Sequence, residues 1–194
     1  MAAAELYTPR RRHETTPARP ETAELLAAAH ALAAQNLTPS YGPGDHGNLS
    51  CRLAEGCLIS ARHTRKATLR PDDLVHAIRA EETAGGSRQV LFDGPGVPST
   101  DALLHLRLYA RDPALGAVLH GHDPALLARA EPLGLPITRG SAAVNSRDVF
   151  EELVALAAQG PMVLMRDHGF LALAESVASA LALIRRWGAA ARAS

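Results

Sequence analysis

The chain has 194 residues, 47% of them hydrophobic, and its 20 basic and 20 acidic residues give a formal net charge of zero. This length suits one domain with a sizeable core, and the neutral charge argues against electrostatic binding of nucleic acid. No apolar run approaches the roughly 20 residues of a membrane-spanning helix, and the first 20 residues lack the apolar segment of a signal peptide. We therefore expect a cytoplasmic protein with neither a nucleic-acid nor a membrane partner.

The predicted elements alternate between helices and strands. Residues 1–20, rich in Arg, Thr and Pro, are expected to form a flexible leader, and residues 21–194 a single domain. Apolar spacing and capping residues such as Ser99 predict the helices, and short apolar runs between turn residues predict the strands. In chain order we expect a helix at 21–36, strands at 48–53 and 56–61, a short helical turn at 70–78, a strand at 88–94, a helix at 99–112, a strand at 115–122, helices at 123–130 and 146–159, two strands within 162–174 and a helix at 176–191. The pattern indicates an α/β domain whose sheet is covered by helices on both faces and is not purely parallel.

Two cysteines, Cys51 and Cys57, flank the predicted turn between the first two strands. They could face each other across the hairpin. The alternative is a pair of reduced, partly buried thiols, which is the usual state in the cytoplasm.

Two histidines close the strand in "VLHGHDPALLARA" (118–130), where a helix follows at once. His120 and His122 are two residues apart, and such residues point to the same face of a strand. A third histidine, His168, lies in the apolar segment "MRDHGFL". Three neutral imidazoles with one open position are typical of a catalytic Zn²⁺ site. The alternative is that each is a surface or hydrogen-bonded core histidine.

Asp101 is the candidate acid–base residue. It is expected in the first turn of a helix, after Ser99 and Thr100, where free backbone N–H groups favour an anion. A carboxylate beside a divalent cation can ligate it or move a proton next to it. Plain helix capping is the alternative.

Four segments together resemble the class II aldolase/adducin family, which includes fuculose-phosphate aldolase and ribulose-phosphate 4-epimerase. They are "GNLSCRL", "LISARHTRKATLRPDDLV", "PSTDALLHLRLYARDPALGAVLHGHDPALL" and "MVLMRDHGFLAL", and they occur in the family's order. The most specific part is an acidic residue, then nineteen positions to H-x-H, then a late H-G. The resemblance covers roughly residues 22–187 and implies a three-layer αβα sandwich with a mixed or mostly antiparallel sheet.

The resemblance also implies roles for individual residues. Asp101 matches the position of the family's catalytic glutamate, which is often a metal ligand too. Asn48 matches a residue that contacts substrate. The metal ligands are matched by His120, His122 and His168, and the serine pair that helps hold the substrate phosphate is matched by Ser99 and Thr100. The metal is expected to be Zn²⁺ or another divalent ion such as Mn²⁺, and the protein a homotetramer with active sites between subunits.

The sequence departs from the family pattern at the phosphate loop and at the acid. Arg62 and His63 stand where a small hydroxyl residue and a glycine are expected. A guanidinium there would bind an anion by charge-assisted hydrogen bonds, so we expect both residues to contact an anionic substrate. Asp101 is one methylene shorter than the usual glutamate.

The tyrosines are a further departure. The family's aldolases use tyrosines from the region between the H-x-H motif and the late histidine, and from the end of the chain. Here Tyr7, Tyr41 and Tyr109 all lie elsewhere in the sequence.

The predicted function is a metal-dependent aldolase that cleaves a carbon–carbon bond in a small sugar or sugar-phosphate through a metal-stabilised enediolate. The alternatives are a family member of another reaction type (epimerase, dehydratase or decarboxylase) and a non-catalytic, adducin-like binding protein. A Schiff-base mechanism would have to use Lys66, the only lysine. We expect this residue instead to position the substrate or to form a local salt bridge. The basic stretch "RHTRK" (62–66) is better explained as an anion-binding or solvated loop than as a nucleic-acid patch.

Overall fold

The computed structural model describes residues 6–84, 87–141 and 147–193, which form an eight-stranded sheet and five α-helices. The strands are β1 (Thr8–His13), β2 (Asn48–Arg52), β3 (Cys57–Ser60), β4 (Leu74–Glu82), β5 (Arg88–Asp93), β6 (Ala117–Gly121), β7 (Met162–Met165) and β8 (Gly169–Ala174). The helices are α1 (Glu21–Ala34), α2 (Ala102–Arg111), α3 (Pro124–Ala128), α4 (Arg147–Leu156) and α5 (Val177–Arg192), and two short 3₁₀ turns cover Lys66–Thr68 and Pro71–Asp73.

The sheet is mixed. Its strand order is β1-β5-β4-β3-β2-β6-β8-β7, in which β1 and β5 pair in parallel and the other neighbours pair antiparallel. This confirms the predicted α/β fold. None of the helices in the described ranges is both long and apolar enough to cross a membrane.

Two apolar layers lie on opposite faces of the sheet. Successive residues of a strand point to opposite faces, so in β6 Val118 packs into one cluster and Leu119 into the other. The Leu119 cluster includes residues of α1 and α5, such as Leu32 and Ile184, and the Val118 cluster includes residues of α2, such as Leu103. Helices therefore cover both faces, as the sequence predicts.

The two cysteines do not face each other. In the β2–β3 pair, Cys51 lies opposite Leu58 and Cys57 opposite Arg52, so the two thiols point to different faces of the sheet. Both are buried and free. Burial raises the pKa of the Cys51 thiol to about 12 and raises that of Cys57 as well, which disfavours the reactive thiolate form of both.

The segment 8–13 differs from the predicted leader. It forms the edge strand β1 and pairs with β5. Just before it, Tyr7 is buried and its hydroxyl donates a hydrogen bond to Ser99 O at 2.7 Å. Arg12 forms two hydrogen bonds to the carboxylate of Asp93 and lowers its pKa. An arginine-rich edge strand carries no alternating apolar pattern, so its backbone pairing left no signal in the sequence.

A second difference concerns residues 70–78. The predicted helical turn is limited to Pro71–Asp73, and the chain then enters strand β4. The start of β4 is buried over five successive residues. A short, mostly apolar run of this length is ambiguous between helix and strand, and the Pro and Asp residues before it resemble the start of a helix.

The position of Tyr7 gives a stability prediction. Tyr7→Ala is expected to lower the free energy of unfolding by about 3–5 kcal/mol, as for other large buried aromatic residues. Tyr7→Phe keeps the packing, loses the hydrogen bond and should cost about 0.5–1.5 kcal/mol. Urea unfolding of both variants measures the two values. A Tyr7→Ala variant as stable as the parent would mean that this segment is a loose leader after all.

Candidate functional site

Three histidines converge at one end of strand β6. His120 lies in β6, His122 is the first residue after β6, and His168 lies in the turn between β7 and β8. Because β8 pairs with β6, this turn is brought beside the end of β6. The ligand atoms of the three side chains all lie within 4.8 Å of one another.

The protonation of these histidines suits metal binding. His120 Nδ1 lies 2.8 Å from Phe170 O, and since a carbonyl only accepts, Nδ1 carries the proton and Nε2 keeps its lone pair. His122 Nε2 is buried and has no hydrogen-bond partner among the described residues. Burial and the neighbouring imidazoles lower the pKa of His120 to about 3 and that of His122 to about 2, and burial also lowers the pKa of His168.

These observations fit a divalent metal. Three neutral imidazoles, one with an unpartnered buried nitrogen, are the donor set of a catalytic zinc site that keeps a position open for water or substrate. The glycine after His168 supports the arrangement by allowing a close approach. A Cβ at Gly169 would lie 2.4 Å from Gly121 O and 2.9 Å from His120 Cε1, so a larger residue would push the turn away from β6.

Asp101 lies beside this cluster and is held by Asn48. Helix α2 begins at Ala102, which makes Asp101 its N-cap residue, but the Asp101 side chain makes no capping hydrogen bond. Its Oδ2 instead accepts a hydrogen bond from Asn48 Nδ2 at 2.6 Å. The predicted N-cap, Ser99, is two residues too early, and its Oγ accepts from the backbone N–H of Asp101 at 3.3 Å. The carboxylate is thus available to the cavity.

The predicted site residues share one cavity of about 240 Å³. All of those that the sequence singles out line it: Asn48, Arg62, His63, Ser99, Thr100, Asp101, His120, His122 and His168. The cavity places the three imidazoles and a carboxylate within one small volume, which is the arrangement that metal-assisted proton transfer needs.

Arg62 is more restrained than the sequence suggests. Its Nε donates to Pro98 O at 2.9 Å, and its guanidinium carbon lies 5.5 Å from the centre of the Tyr7 ring. The residue lines the cavity, but part of its hydrogen-bonding capacity is engaged within the protein.

The cavity also contains Lys66, which the sequence predicts to position the substrate or to form a local salt bridge, and three residues that sequence reasoning missed, namely Tyr41, Asp45 and His46. Tyr41 Oη lies 3.0 Å from His63 Nδ1, so a tyrosine is present after all, supplied from the loop before β2. The Tyr41 ring centre is 4.8 Å from that of His46, which is 4.9 Å from that of His122. The signal was the glycine-rich loop 40–47, which leads directly into Asn48 and must therefore lie near it.

Arg65 fastens this loop to the body of the domain. Its Nη1 donates to Gly44 O at 3.3 Å and to Asp45 Oδ1 at 3.0 Å, and its guanidinium also contacts Ser40 Oγ and Gly42 O. Several donors on one planar group hold the loop backbone in place. These contacts place the Tyr41 and His46 rings beside the histidine cluster.

Comparison with known proteins gives a consistent result. The chain is 42% identical over 93 residues to methylthioribulose-1-phosphate dehydratase of Gluconobacter oxydans, a match that covers 46% of this chain and 41% of that enzyme. The chain thus matches less than half the length of this relative. It is 29% identical over 176 residues to 5-methylthioribulose-1-phosphate/5-deoxyribulose-1-phosphate aldolase of Rhodospirillum rubrum, covering 81% of this chain and 76% of that one.

The comparison with a solved structure and with the family model points to the same group of proteins. The crystal structure of L-fuculose-1-phosphate aldolase from Thermus thermophilus superimposes with a TM-score of 0.71 at 20% identity, covering 90% of this chain and 92% of that one. The model of the class II aldolase and adducin N-terminal domain matches residues 23–194, nearly the whole described chain. The protein therefore belongs to the class II aldolase and adducin family.

Proposed function

We propose that the protein is a metal-dependent lyase that acts on a phosphorylated ketopentose, with dehydration as the favoured reaction. The observation that carries this proposal is the placement of Asp101 in the same small cavity as the three converging histidines. A purely binding descendant of the family would have no use for three converging neutral imidazoles beside a carboxylate. This argues against the adducin-like alternative.

The relatives support the substrate class and the choice of reaction. Two of them are named for the same compound, a methylthioribulose 1-phosphate, which one dehydrates and the other cleaves. The higher identity is to the dehydratase, so water elimination replaces carbon–carbon cleavage as our first candidate. Cleavage remains the second candidate because the match to the aldolase extends over more of the chain.

The chain's own residues supply binding and proton transfer. A divalent metal, which we propose to be Zn²⁺ or Mn²⁺, would be held by His120, His122 and His168 and would supply Lewis-acid polarisation of the substrate carbonyl. Asp101 is positioned by Asn48 to accept a proton at the carbon beside that carbonyl. The buried Asn48 Oδ1 has no partner in the described part of the chain and can accept a hydrogen bond from a substrate hydroxyl.

The proposed elimination needs an acid as well as a base. Asp101 takes the proton from carbon, hydroxide leaves from the next carbon, and that hydroxide takes up a proton to become water. Tyr41, paired with His63 at the cavity wall, is the candidate donor of that second proton. In cleavage the base would instead take the proton of a hydroxyl group, and the carbon–carbon bond would break.

Product analysis tests this proposal. The purified protein is loaded with zinc and incubated with 5-methylthioribulose 1-phosphate, and the products are followed by ³¹P and ¹H NMR. Dehydration gives one phosphorylated product that is lighter by one water and retains the methylthio group. Cleavage gives dihydroxyacetone phosphate and a two-carbon methylthio aldehyde. If the metal-loaded protein turns over neither this compound nor a panel of other ketopentose 1-phosphates, the proposed function is wrong.

The quaternary state is also a proposal. We infer a homo-oligomer, specifically a tetramer, from the resemblance to the family. Light scattering at micromolar concentration should then give a multiple of the 20.5 kDa chain mass. A mass equal to that of one chain would contradict it.

A further inference from the structure

The only lysine of the chain, Lys66, lines the candidate site. The sequence predicts that it either positions the substrate or forms a local salt bridge, and the structure distinguishes between the two. It begins the 3₁₀ turn Lys66–Thr68, and only 2% of its surface is exposed. Lysine is among the residue types that are almost never fully buried unless they are paired. A buried ammonium at this position is therefore expected to have an anionic partner.

The Lys66 ammonium is hydrogen-bonded only weakly within the described residues. Nζ lies 3.5 Å from Asp45 O, 3.3 Å from Thr64 O and 3.3 Å from Thr64 Oγ1, at or beyond the long end of the usual range. All three acceptors are neutral. In the described ranges no carboxylate oxygen lies within 4.0 Å of Nζ, so the ammonium forms no ion pair there.

The nearest carboxylate is already engaged elsewhere. Asp45 Oδ2 accepts from the backbone N–H of Lys66 at 2.7 Å, and Asp45 Oδ1 accepts from Arg65 Nη1 at 3.0 Å. Asp45 thus fixes the Lys66 backbone and the loop but leaves the ammonium without an ionic partner.

A buried charge in this state is costly. Burial lowers the pKa of Lys66 to about 8, against the opposing effect of Asp45 and Asp73. The group is therefore still mainly charged at neutral pH, and an anion entering the cavity would relieve the cost of its burial.

We propose that Lys66 binds the phosphate group of the substrate and so forms the anion subsite of the cavity. This rests on the proposed function for the substrate class. The sequence predicts contacts to an anionic substrate from both Arg62 and Lys66, and the proposal assigns the main part of this role to Lys66. The reason is that Arg62 Nε is bonded to Pro98 O, whereas the Lys66 ammonium has only long contacts to neutral oxygens. A charge-assisted hydrogen bond from an ammonium to a phosphate oxygen is about twice as strong as one between neutral groups.

Binding of inorganic phosphate tests the subsite without requiring catalysis. Calorimetry is carried out on the zinc-loaded protein and again after chelation, for the parent, for Lys66→Met and for Arg185→Met. The last is a matched control that removes an exposed positive charge on α5, away from the cavity. We expect Lys66→Met to weaken binding at least about tenfold in both metal states, and Arg185→Met to leave it unchanged. Equal affinity in Lys66→Met, equal weakening in the control, or binding that is lost on chelation but kept in Lys66→Met would each overturn the proposal.

The single lysine permits a second test on the unaltered chain. Growth with isotope-labelled lysine gives one side-chain NMR signal, whose pH titration reports the pKa of Lys66 directly. Phosphate bound at the ammonium favours its charged form and should raise this pKa from about 8. An unchanged pKa at saturating phosphate, or a larger rise with acetate at equal concentration, would contradict a phosphate subsite. Phosphate binding without turnover of any ketopentose phosphate would leave the subsite standing and refute the proposed function alone.

Discussion

Replacing His120 and His122 together with Ala is expected to lower bound zinc from one ion per chain to none. The reason is geometric, because the ligand atoms of the three histidines lie within 4.8 Å of one another, and two of them would be lost. A single remaining imidazole binds a divalent ion too weakly to survive gel filtration. Elemental analysis of the purified variant measures the result.

Two further variants make the zinc measurement decisive. His13→Ala removes an exposed histidine on β1 and should keep the full zinc content. His168→Gln changes the turn between β7 and β8 and leaves the sequence of β6 intact, and it should also lose tight zinc. It serves as the test of the metal site if the double variant folds poorly. One tightly bound ion per chain in the double variant would show that the metal site lies elsewhere.

Asp101→Asn is expected to lower kcat by about 10²–10⁴-fold, the usual contribution of general acid–base catalysis. In the parent, Asn48 donates a hydrogen bond to the Asp101 carboxylate at 2.6 Å. The amide of the variant is similar in size, and its oxygen can still accept this hydrogen bond. It cannot accept the proton. Steady-state kinetics on the substrate identified by NMR gives the value, and zinc content should change little.

The control for this variant is Asp101→Glu, which restores a carboxylate of the length usual in the family. It should keep far more activity than Asp101→Asn, because a small change of reach disturbs proton transfer less than loss of the carboxylate does. An Asp101→Asn variant with unchanged kcat would remove Asp101 from the mechanism. Loss of zinc in Asp101→Asn would instead make it a metal ligand.

The parts of the fold and the site that the sequence predicts are those governed by local pattern. The H-x-H of His120 and His122 follows a short buried strand, and the period of two puts both side chains on one face. The helices with regular apolar spacing, such as α1 and α5, also appear within a few residues of their expected bounds. These features need only a few neighbouring residues to be recognised.

The features that the sequence does not predict depend on contacts between distant segments. Strand β1 carries three successive arginines, and its pairing with β5 is made by backbone groups that leave no side-chain pattern. Tyr41 and His46 lie in loop 40–47, and both reach the cavity because the Arg65 contacts hold this loop against the segment after β3. No spacing rule connects these positions to the histidines, so only the folded structure brings them together.

The most direct test of the account is the dependence of activity on bound zinc. The protein is stripped with a chelator, zinc is added back in measured fractions, and turnover of the ketopentose phosphate is recorded at each step. Asp101 and the three histidines line one cavity, so under the proposed function activity should rise in proportion to bound zinc and level off at one ion per chain. Full activity in the metal-free protein, or a plateau that does not follow zinc occupancy, would contradict a metal-dependent lyase at this site.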